Sequence, residues 1–384
     1  MVAGEASGDL LASHLIAALR RVLPNAEFFG IGGPKMEAAG FKLRFPAEKL
    51  AVHGFSDALV HYREIAGIRK RFLQELLATP PDVFVGIDAP DFNLGLERKL
   101  KSKGIPAVHY VSPSIWAWRG GRIKGIKKSV DHMLALFPFE PAIYEKAGIP
   151  VSYVGHPLAD MLPLEVDRKG TREKLGLGQD EKVFAVLPGS RHAEVLHLAP
   201  IFIETIRLLS ARFEGARFLV PLATRKTRDQ FEEALWRAGA QHLGVSLLFG
   251  HAHEAMAAAD AVLVASGTAA LEAALLKRPM VIAYRVSKFS YRLMKRMAYL
   301  PYQGLPNILA GRFIVPEFLQ DDATPENLAQ ALGNLVDDPV IISRLEQTFL
   351  ELHKRLRQGT AEKAAAAILP LLRKKAWSGA SRAA

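Results

Sequence analysis

Asp260-Ala-Val-Leu-Val-Ala-Ser266-Gly267-Thr268-Ala-Ala-Leu-Glu272-Ala-Ala-Leu-Leu-Lys277-Arg-Pro279-Met-Val-Ile-Ala-Tyr284 decides the fold class of this chain. The apolar run after Asp260 is short and reads as a buried strand. A turn of small polar residues follows, then Ala and Leu at helical spacing, then a second apolar strand after Pro279. That order is the βαβ unit of an open parallel sheet. Ser266 and Thr268 are placed to cap the helix, and Gly267 lets a ligand come close to the backbone. The helix start offers free N–H groups and a partial positive charge, a seat for a phosphate. Glu272 follows Thr268 by one turn on the same face, where a carboxylate can accept hydrogen bonds from a ribose. The plainer alternative is a βα turn with no ligand.

The residues before this segment repeat the pattern. Lys182 to Leu187 is a strand, and Pro188-Gly189-Ser190-Arg191 is a turn leading past His192 and Glu194 into a helix from about Val195 to Arg212. A helix start that carries its own guanidinium is an anion site, and Arg191 can grip a phosphate with two donors. Strands at Phe218 to Pro221 and Val245 to Phe249, with helices at Thr227 to Gly239 and His253 to Ala259, complete the series. Beyond it, Asn307 stands in the loop Pro306 to Gly311, suited either to a base, ribose or phosphate contact or to a turn. A helix restarts at Thr324-Pro325-Glu326 with a cap and Pro at its first position.

The first half is organised alike. Met1 to Ala3 reads as the end of a strand too short to stand alone, which suggests further residues upstream, and Gly4-Glu5-Ala6-Ser7-Gly8-Asp9 turns into a helix reaching about Leu23. Glu5, Ser7 and Gly8 stand where a first βα loop meets a ligand, although Ser7 and Asp9 also suit plain capping. A second strand and glycine turn span Ala26 to Gly33, and Phe55 to Leu77 is helical. Val83 to Ile87 is a strand ending in Asp88, a carboxylate at the sheet edge where parallel sheets bind ligands, so Asp88 is a candidate general base. Asp91 or Asn93 reads as a cap for the helix that follows. Further strands are expected at Pro106 to Val111, Asp131 to Phe137 and around Val151, with Trp116 and Trp118 in a loop where bulky rings need something to cover them.

A chain of 384 residues is longer than single cores usually reach, so two domains are expected. The division falls at residues 1–165, 166–338 and a pair of closing helices at 339–384. With no cysteine there is no disulfide, no thiolate chemistry and no cysteine metal site. The opening residues lack the basic and apolar regions of a signal peptide, and no apolar run is long enough to span a bilayer. The net charge of +11 is concentrated. From Arg98 to Lys128 the sequence carries Arg98, Lys99, Lys101, Lys103, Arg119, Arg122, Lys124, Lys127 and Lys128 with no acidic residue, and five more basic residues lie unopposed between Tyr284 and Tyr302. Such blocks suit nucleic acid, an anionic membrane or phosphorylated small substrates. No nucleic-acid recognition motif accompanies them. The mixture of basic and apolar residues from Val60 to Leu77, and again around Lys288 to Leu300, fits a helix lying on anionic lipid. The Walker, dinucleotide-binding and nucleophile-elbow patterns are all missing.

Val2-Ala-Gly-Glu5-Ala-Ser-Gly-Asp9, Asp82-Val-Phe-Val-Gly-Ile-Asp88-Ala-Pro-Asp-Phe-Asn93, His109-Tyr-Val-Ser-Pro-Ser-Ile-Trp116-Ala-Trp-Arg119, Gly155-His-Pro, Leu187-Pro-Gly-Ser-Arg191, Ala265-Ser-Gly-Thr-Ala-Ala-Leu-Glu272 and Leu305-Pro-Asn307-Ile-Leu-Ala-Gly311 together resemble the lipid-A-disaccharide synthases. The likeness runs nearly end to end and in order. It implies an α/β chain of GT-B type, two Rossmann-like parallel-sheet domains facing a cleft. It also implies transfer of 2,3-diacylglucosamine from its UDP derivative to 2,3-diacylglucosamine 1-phosphate, giving UDP and a β-1,6 disaccharide with inversion. Carried over, Asp88 resembles the family's proposed base, with Glu5 nearby. Gly189, Ser190, Arg191, Ser266, Gly267, Thr268, Glu272 and Asn307 fall in its donor-binding set. The resemblance implies that the closing helices return to pack on the first domain and that the work is cytoplasmic, at an anionic inner-membrane surface. The transfer itself requires no metal or cofactor, no nucleic-acid partner is expected, and a homodimer is left open. One departure is the short first strand, since the family has several residues before Val2. Trp377 to Ala384 reads as a frayed tail. The nearest rival is another GT-B UDP-sugar transferase or a UDP-sugar epimerase; a nucleic-acid-binding module and a non-catalytic membrane scaffold are further ones.

Overall fold

The computed structural model describes residues 1–50, 55–117, 120–286, 291 and 299–380, those of 55–62 and 373–380 as backbone only. Trp118, Arg119, the final residues 381–384 and most of the basic segment Lys288 to Leu300 lie outside the described residues. The chain divides into two compact units, Met1–Asp160 with Leu356–Ala384, and Met161–Arg355.

In the first unit β1 (Phe29–Gly32) pairs in parallel with β2 (Lys42–Pro46), and β3 (Phe84–Gly86), β4 (Ala107–Tyr110), β5 (His132–Ala135) and β6 (Val151–Tyr153) form a parallel sheet in that order. β2 was not expected from the sequence, because its burial alternates and its charged residues hide the pattern. A single residue joins the two sheets. Val2 bridges Ile31 of β1 on one side and Gly86 of β3 on the other. The bonds are those of a strand: Val2 N–H donates to Val85 O (3.0 Å), Ile87 N–H to Val2 O (2.9 Å) and Ala3 N–H to Ile31 O (2.9 Å). The continuous order is β2, β1, Met1–Ala3, β3, β4, β5, β6. The chain therefore reverses its direction of travel across the sheet between Met1–Ala3 and β3, the crossover where open parallel sheets bind ligands.

Helices cover both faces. The helix Ala6–Val22 sets Leu11, Leu15 and Leu19 against Val85, Val108 and Leu134, and the last helix, Thr360–Ala380, adds Ala364 and Ile368 to the same cluster. The Asp160 carboxylate fixes the start of that last helix, accepting from Gly359 N–H (3.0 Å) and Thr360 N–H (2.6 Å). On the opposite face Ile68, Phe72 and Leu76 of the helix Phe55–Ala78 pack with Phe84, Leu96 and Leu100. Their spacing of four is the helical repeat that lets one face stay dry.

The second unit holds β7 (Val183–Leu187), β8 (Arg217–Leu222), β9 (Val245–Phe249), β10 (Ala261–Ala265), β11 (Met280–Tyr284) and β12 (Glu317–Leu319) in one parallel sheet ordered β12, β11, β10, β7, β8, β9. Every residue of β7 and β10 is buried, which explains their unbroken apolar runs. β12 is too short to announce itself in the sequence. The crossover lies between β7 and β10, paired from Ala261 opposite Phe184 to Val264 opposite Leu187. The helices Arg168–Lys174, His192–Arg212, Arg225–Arg237, Ala252–Ala258, Thr268–Leu275, Leu305–Ala310, Pro325–Asp337 and nearly all of Pro339–Leu356 belong to this unit.

Candidate active site

Each unit collects its polar groups at the C-terminal end of its crossover strands. In the first unit the strand β3 runs out at Gly86, and Asp88 follows before the helix Pro90–Lys101. Its carboxylate is clamped by the turn after Met1–Ala3: Oδ1 accepts from Gly4 N–H (2.6 Å) and Oδ2 from Glu5 N–H (3.1 Å). These donors stand at the start of the helix Ala6–Val22, whose field favours an anion. Burial outweighs them and pushes the Asp88 pKa up to about 6. The Glu5 charge adds to the rise, and the two backbone bonds and His109 oppose it. Gly8 leaves the space that the carboxylate occupies, since a Cβ there would sit 2.6 Å from Asp88 Cγ.

The neighbours of Asp88 have other duties. Glu5 is exposed and its side chain caps nothing. Asp9 braces a different element: its carboxylate accepts from the N–H groups of Gly33, Lys35 and Met36, each at 3.0 Å, at the start of the helix Pro34–Ala38. Asp91 pairs with Arg122 at the surface. Neither Asp91 nor Asn93 caps the helix, because Ala89 holds that position with φ of 46°. Asn93 points inward, and its Nδ2 donates to Asp88 O (2.6 Å) and Val2 O (3.3 Å).

Further along the same edge, Trp116 meets Phe139 edge-on at 5.2 Å, and Phe137 stacks on His156 at 5.6 Å. The Trp116 indole donates to Glu140 Oε1 (3.0 Å), and Glu140 Oε2 accepts from Phe137 N–H (2.9 Å). Burial raises the Glu140 pKa to about 7 and lowers that of His156 to about 4. Glu140 gave no signal in the sequence, because an acidic residue before Pro reads as an ordinary helix start.

The second unit's crossover brings the turn Gly189–Arg191 after β7 beside the turn Ser266–Thr268 after β10. Gly267, at φ of 148°, is the residue before the helix Thr268–Leu275, so neither Ser266 nor Thr268 provides a side-chain cap. Gly267 and Thr268 are exposed and Ser266 partly so. Glu272 lies one turn in, with His253 Nε2 3.7 Å from its Oε2, and the His253 pKa is raised chiefly by that contact. Arg191 is 78% exposed at the side chain. The N–H groups of Ser190 and Arg191 are already in use, both donating to Glu194 Oε2 at 3.0 and 3.1 Å.

Asn307 lies in the helix Leu305–Ala310, where the sequence suggested a loop. It is fully buried; Nδ2 donates to Val315 O (3.0 Å) and Glu317 Oε1 (2.7 Å), while Oδ1 accepts from Ile314 N–H (2.7 Å) and Val315 N–H (3.0 Å). Glu317 also holds Gln303 N–H and Gly304 N–H, each at 2.8 Å. Asn307 ties that helix to the Ile314–Val315 segment that follows it, and this structure leaves its amide no spare donor. Among the described residues no group of three or more His, Asp or Glu is arranged to hold a metal ion. No helix among them is long and apolar enough to cross a membrane.

The family described as Lipid-A-disaccharide synthetase matches residues 1–368. The chain is 63% identical to the lipid-A-disaccharide synthase of Aromatoleum aromaticum, over 100% of this chain and 98% of the relative. It is 61% identical to that of Dechloromonas aromatica, over 97% and 98%. Among solved structures it is similar to a Staphylococcus aureus MnaA–UDP co-structure (14% identity, TM-score 0.62, 96% and 94% covered). It is also similar to the calicheamicin glycosyltransferase CalG4 (17% identity, TM-score 0.58, 94% of each covered). These likenesses give the fold, which is GT-B.

Proposed function

We infer the chemistry from the premise that the chain belongs to the lipid-A-disaccharide synthase family, which makes it a glycosyltransferase of lipid A biosynthesis. The donor is UDP-2,3-diacylglucosamine and the acceptor 2,3-diacylglucosamine 1-phosphate. The acceptor 6-hydroxyl attacks the donor's anomeric carbon from the face opposite UDP. The new C–O bond forms as the bond to the diphosphate breaks with its electron pair on UDP, and the hydroxyl proton passes to Asp88. Inversion at that carbon gives the β-1,6 linkage. The first unit is the acceptor side, and the second holds the nucleotide sugar. Arg191, Ser190 and the helix start at Ser266 to Thr268 bear the charge that develops on the leaving diphosphate, and Glu272 takes the ribose hydroxyls. Asn307 and Gly189 enter this reading as the residues that shape the donor loops.

What carries the reading is the Asp88 carboxylate at the first unit's crossover, desolvated until its pKa reaches about 6. A base near neutrality is the one that takes a proton most effectively at physiological pH. The test is UDP release from acylated donor and acceptor by the parent and by Asp88→Asn, with donor binding measured separately. Turnover is expected to fall roughly 10²–10⁴-fold while donor affinity stays. Near-normal turnover by Asp88→Asn removes the base assignment. Turnover of unacylated UDP-N-acetylglucosamine to its epimer would point to the rival chemistry.

The same reading puts the enzyme in the cytoplasm, at the surface of an anionic membrane, where its acylated substrates reside. Support comes from the net charge of +11 and from Lys70 and Arg71, exposed on the outer side of a helix whose inner side is core. The basic stretch around Lys288 to Leu300 belongs to the same expectation. Reversing the charge at Lys70 and Arg71 is expected to weaken retention on anionic vesicles at low salt, by about 1 kcal/mol per residue. Unchanged retention takes this helix out of the contact.

A further inference from the structure

Glu97 and His109 form a pair that the reading above does not use. Both side chains are 0% exposed, and His109 Nδ1 lies 2.7 Å from Glu97 Oε1. Glu97 comes from the helix Pro90–Lys101 and His109 from β4, opposite Gly86 of β3. One turn before Glu97 on the same helix face is Asn93, which holds the Asp88 carbonyl at 2.6 Å. A side chain on Gly86 would meet Asn93 Cβ at 2.9 Å and Glu97 Oε1 closer still, so a glycine keeps β3 bare where this polar column passes. Asp88, Asn93, Glu97 and His109 thus run in sequence from the sheet edge into the core.

Stability does not account for such a column. Two ionisable groups removed from water are often no better than apolar side chains of the same volume. Here the pair is also incompletely satisfied, since Glu97 Oε2 and His109 Nε2 have no hydrogen-bond partner. Glu140, another buried carboxylate of this unit, differs in being bonded at both oxygens.

We propose that Glu97 and His109 are positioning residues for the transfer, fixing the Asp88 peptide through Asn93 and holding a charge beneath the Asp88 carboxylate that keeps it ready to accept the acceptor's proton. The inference rests on Asp88 being the base. Two charged groups face Asp88: Glu5 from the first turn, which raises its proton affinity, and His109 from β4, which lowers it. The other charges described nearby point elsewhere. Asp91 is paired with Arg122, Arg69 of the helix Phe55–Ala78 reaches Asp91 O at 3.4 Å, and Lys101 pairs with Asp131 at 3.3 Å. Burial raises Glu97's own pKa, opposed by His109.

Two variants separate this role from packing. His109→Gln removes the attraction and keeps a hydrogen-bond donor for Glu97; Glu97→Gln keeps an acceptor for His109 and removes its counter-charge. The readouts are the acid limb of kcat/KM for UDP release and the ionisation of Asp88 followed directly by carboxyl carbon NMR. The parent midpoint is expected at about 6, with activity lost as pH falls through it. In both variants the midpoint is expected to rise by roughly 0.5–1 pH unit, so that the rate loss is about 1.5- to 3-fold at pH 6.5 and vanishes by about pH 8.5. Folded variants with an unmoved midpoint overturn the proposal. If neither variant folds, the parent decides: the His109 ring nitrogen signals must shift as Asp88 ionises, because a charge appearing nearby changes the field at the ring. A ring signal blind to Asp88 overturns it equally. The two assignments also fail separately. An active Asp88→Asn sinks the base, whereas an inactive Asp88→Asn beside an uncoupled His109 sinks only the pair.

Discussion

The two crossover points have the same topology and opposite chemistry. At the first, backbone donors, a carboxylate and a buried charged pair are closed on one another before any substrate arrives, and Asp88 has both oxygens bonded. At the second, Gly267, Thr268 and Arg191 lie open to water. On the function proposed above, the difference follows from what each would have to do. A base must hold one geometry and a tuned proton affinity, which requires desolvation and fixed partners. A grip on a diphosphate must keep its donors reachable by a ligand arriving from water, at the cost of desolvating them on binding. One switch point is therefore built for pre-organisation, the other for capture.

The sharpest way to break that contrast is to disturb the closed region without removing a polar atom. Gly8→Ala places a methyl 2.6 Å from Asp88 Cγ. Helix propensity alone favours Ala in the helix Ala6–Val22 by about 1 kcal/mol. The crowding acts in the opposite direction, and a displacement near 1 Å at a reacting group costs roughly 100-fold in rate. Turnover is expected to fall by about that factor, with donor affinity unchanged and no gain in melting temperature. A variant that is more stable and fully active would mean that the carboxylate is not held where the reaction needs it.

Much of this was legible in the sequence, and the limits are physical. The apolar runs Val183 to Leu187 and Ala261 to Ala265 announce strands because both faces are buried, and Asp88 is legible because a carboxylate ending such a run must stand at the sheet edge. Asp9 reads as a local cap but acts on Gly33, Lys35 and Met36, a partnership made by tertiary packing that no local pattern carries. Glu97 and His109 are invisible for the same reason: pairing of β3 with β4 brings them together, and the bare Gly86 is the sole trace in the sequence. Asn307 reads equally as a ligand contact or as a turn residue; the structure places it in a helix, its amide spent on the backbone of the segment that follows. Asn, like Asp and Ser, bonds backbone as readily as it bonds a ligand, and residue type alone does not separate the two.

The open region should respond more weakly, and in affinity instead of turnover. Arg191 is an exposed guanidinium 3.8 Å from Glu194, a contact that a charged ligand can displace. Losing a charge-assisted grip on a phosphate costs roughly 1.5–3 kcal/mol, so Arg191→Ala is expected to raise the donor Kd about 10- to 100-fold, read by titration with UDP. Glu194 has the opposite sign, because its Oε2 occupies the N–H groups of Ser190 and Arg191 that a diphosphate would use. If those donors serve the ligand, Glu194→Ala should free them and tighten UDP binding a few-fold, net of the helix cap it removes. If they do not, the same change weakens binding by loosening the turn, and Arg191 alone carries the anion. The sign of that small effect tells whether this helix start is a phosphate seat in its own right or a scaffold for one guanidinium. The closed region poses no such question, because there the backbone donors already have their carboxylate.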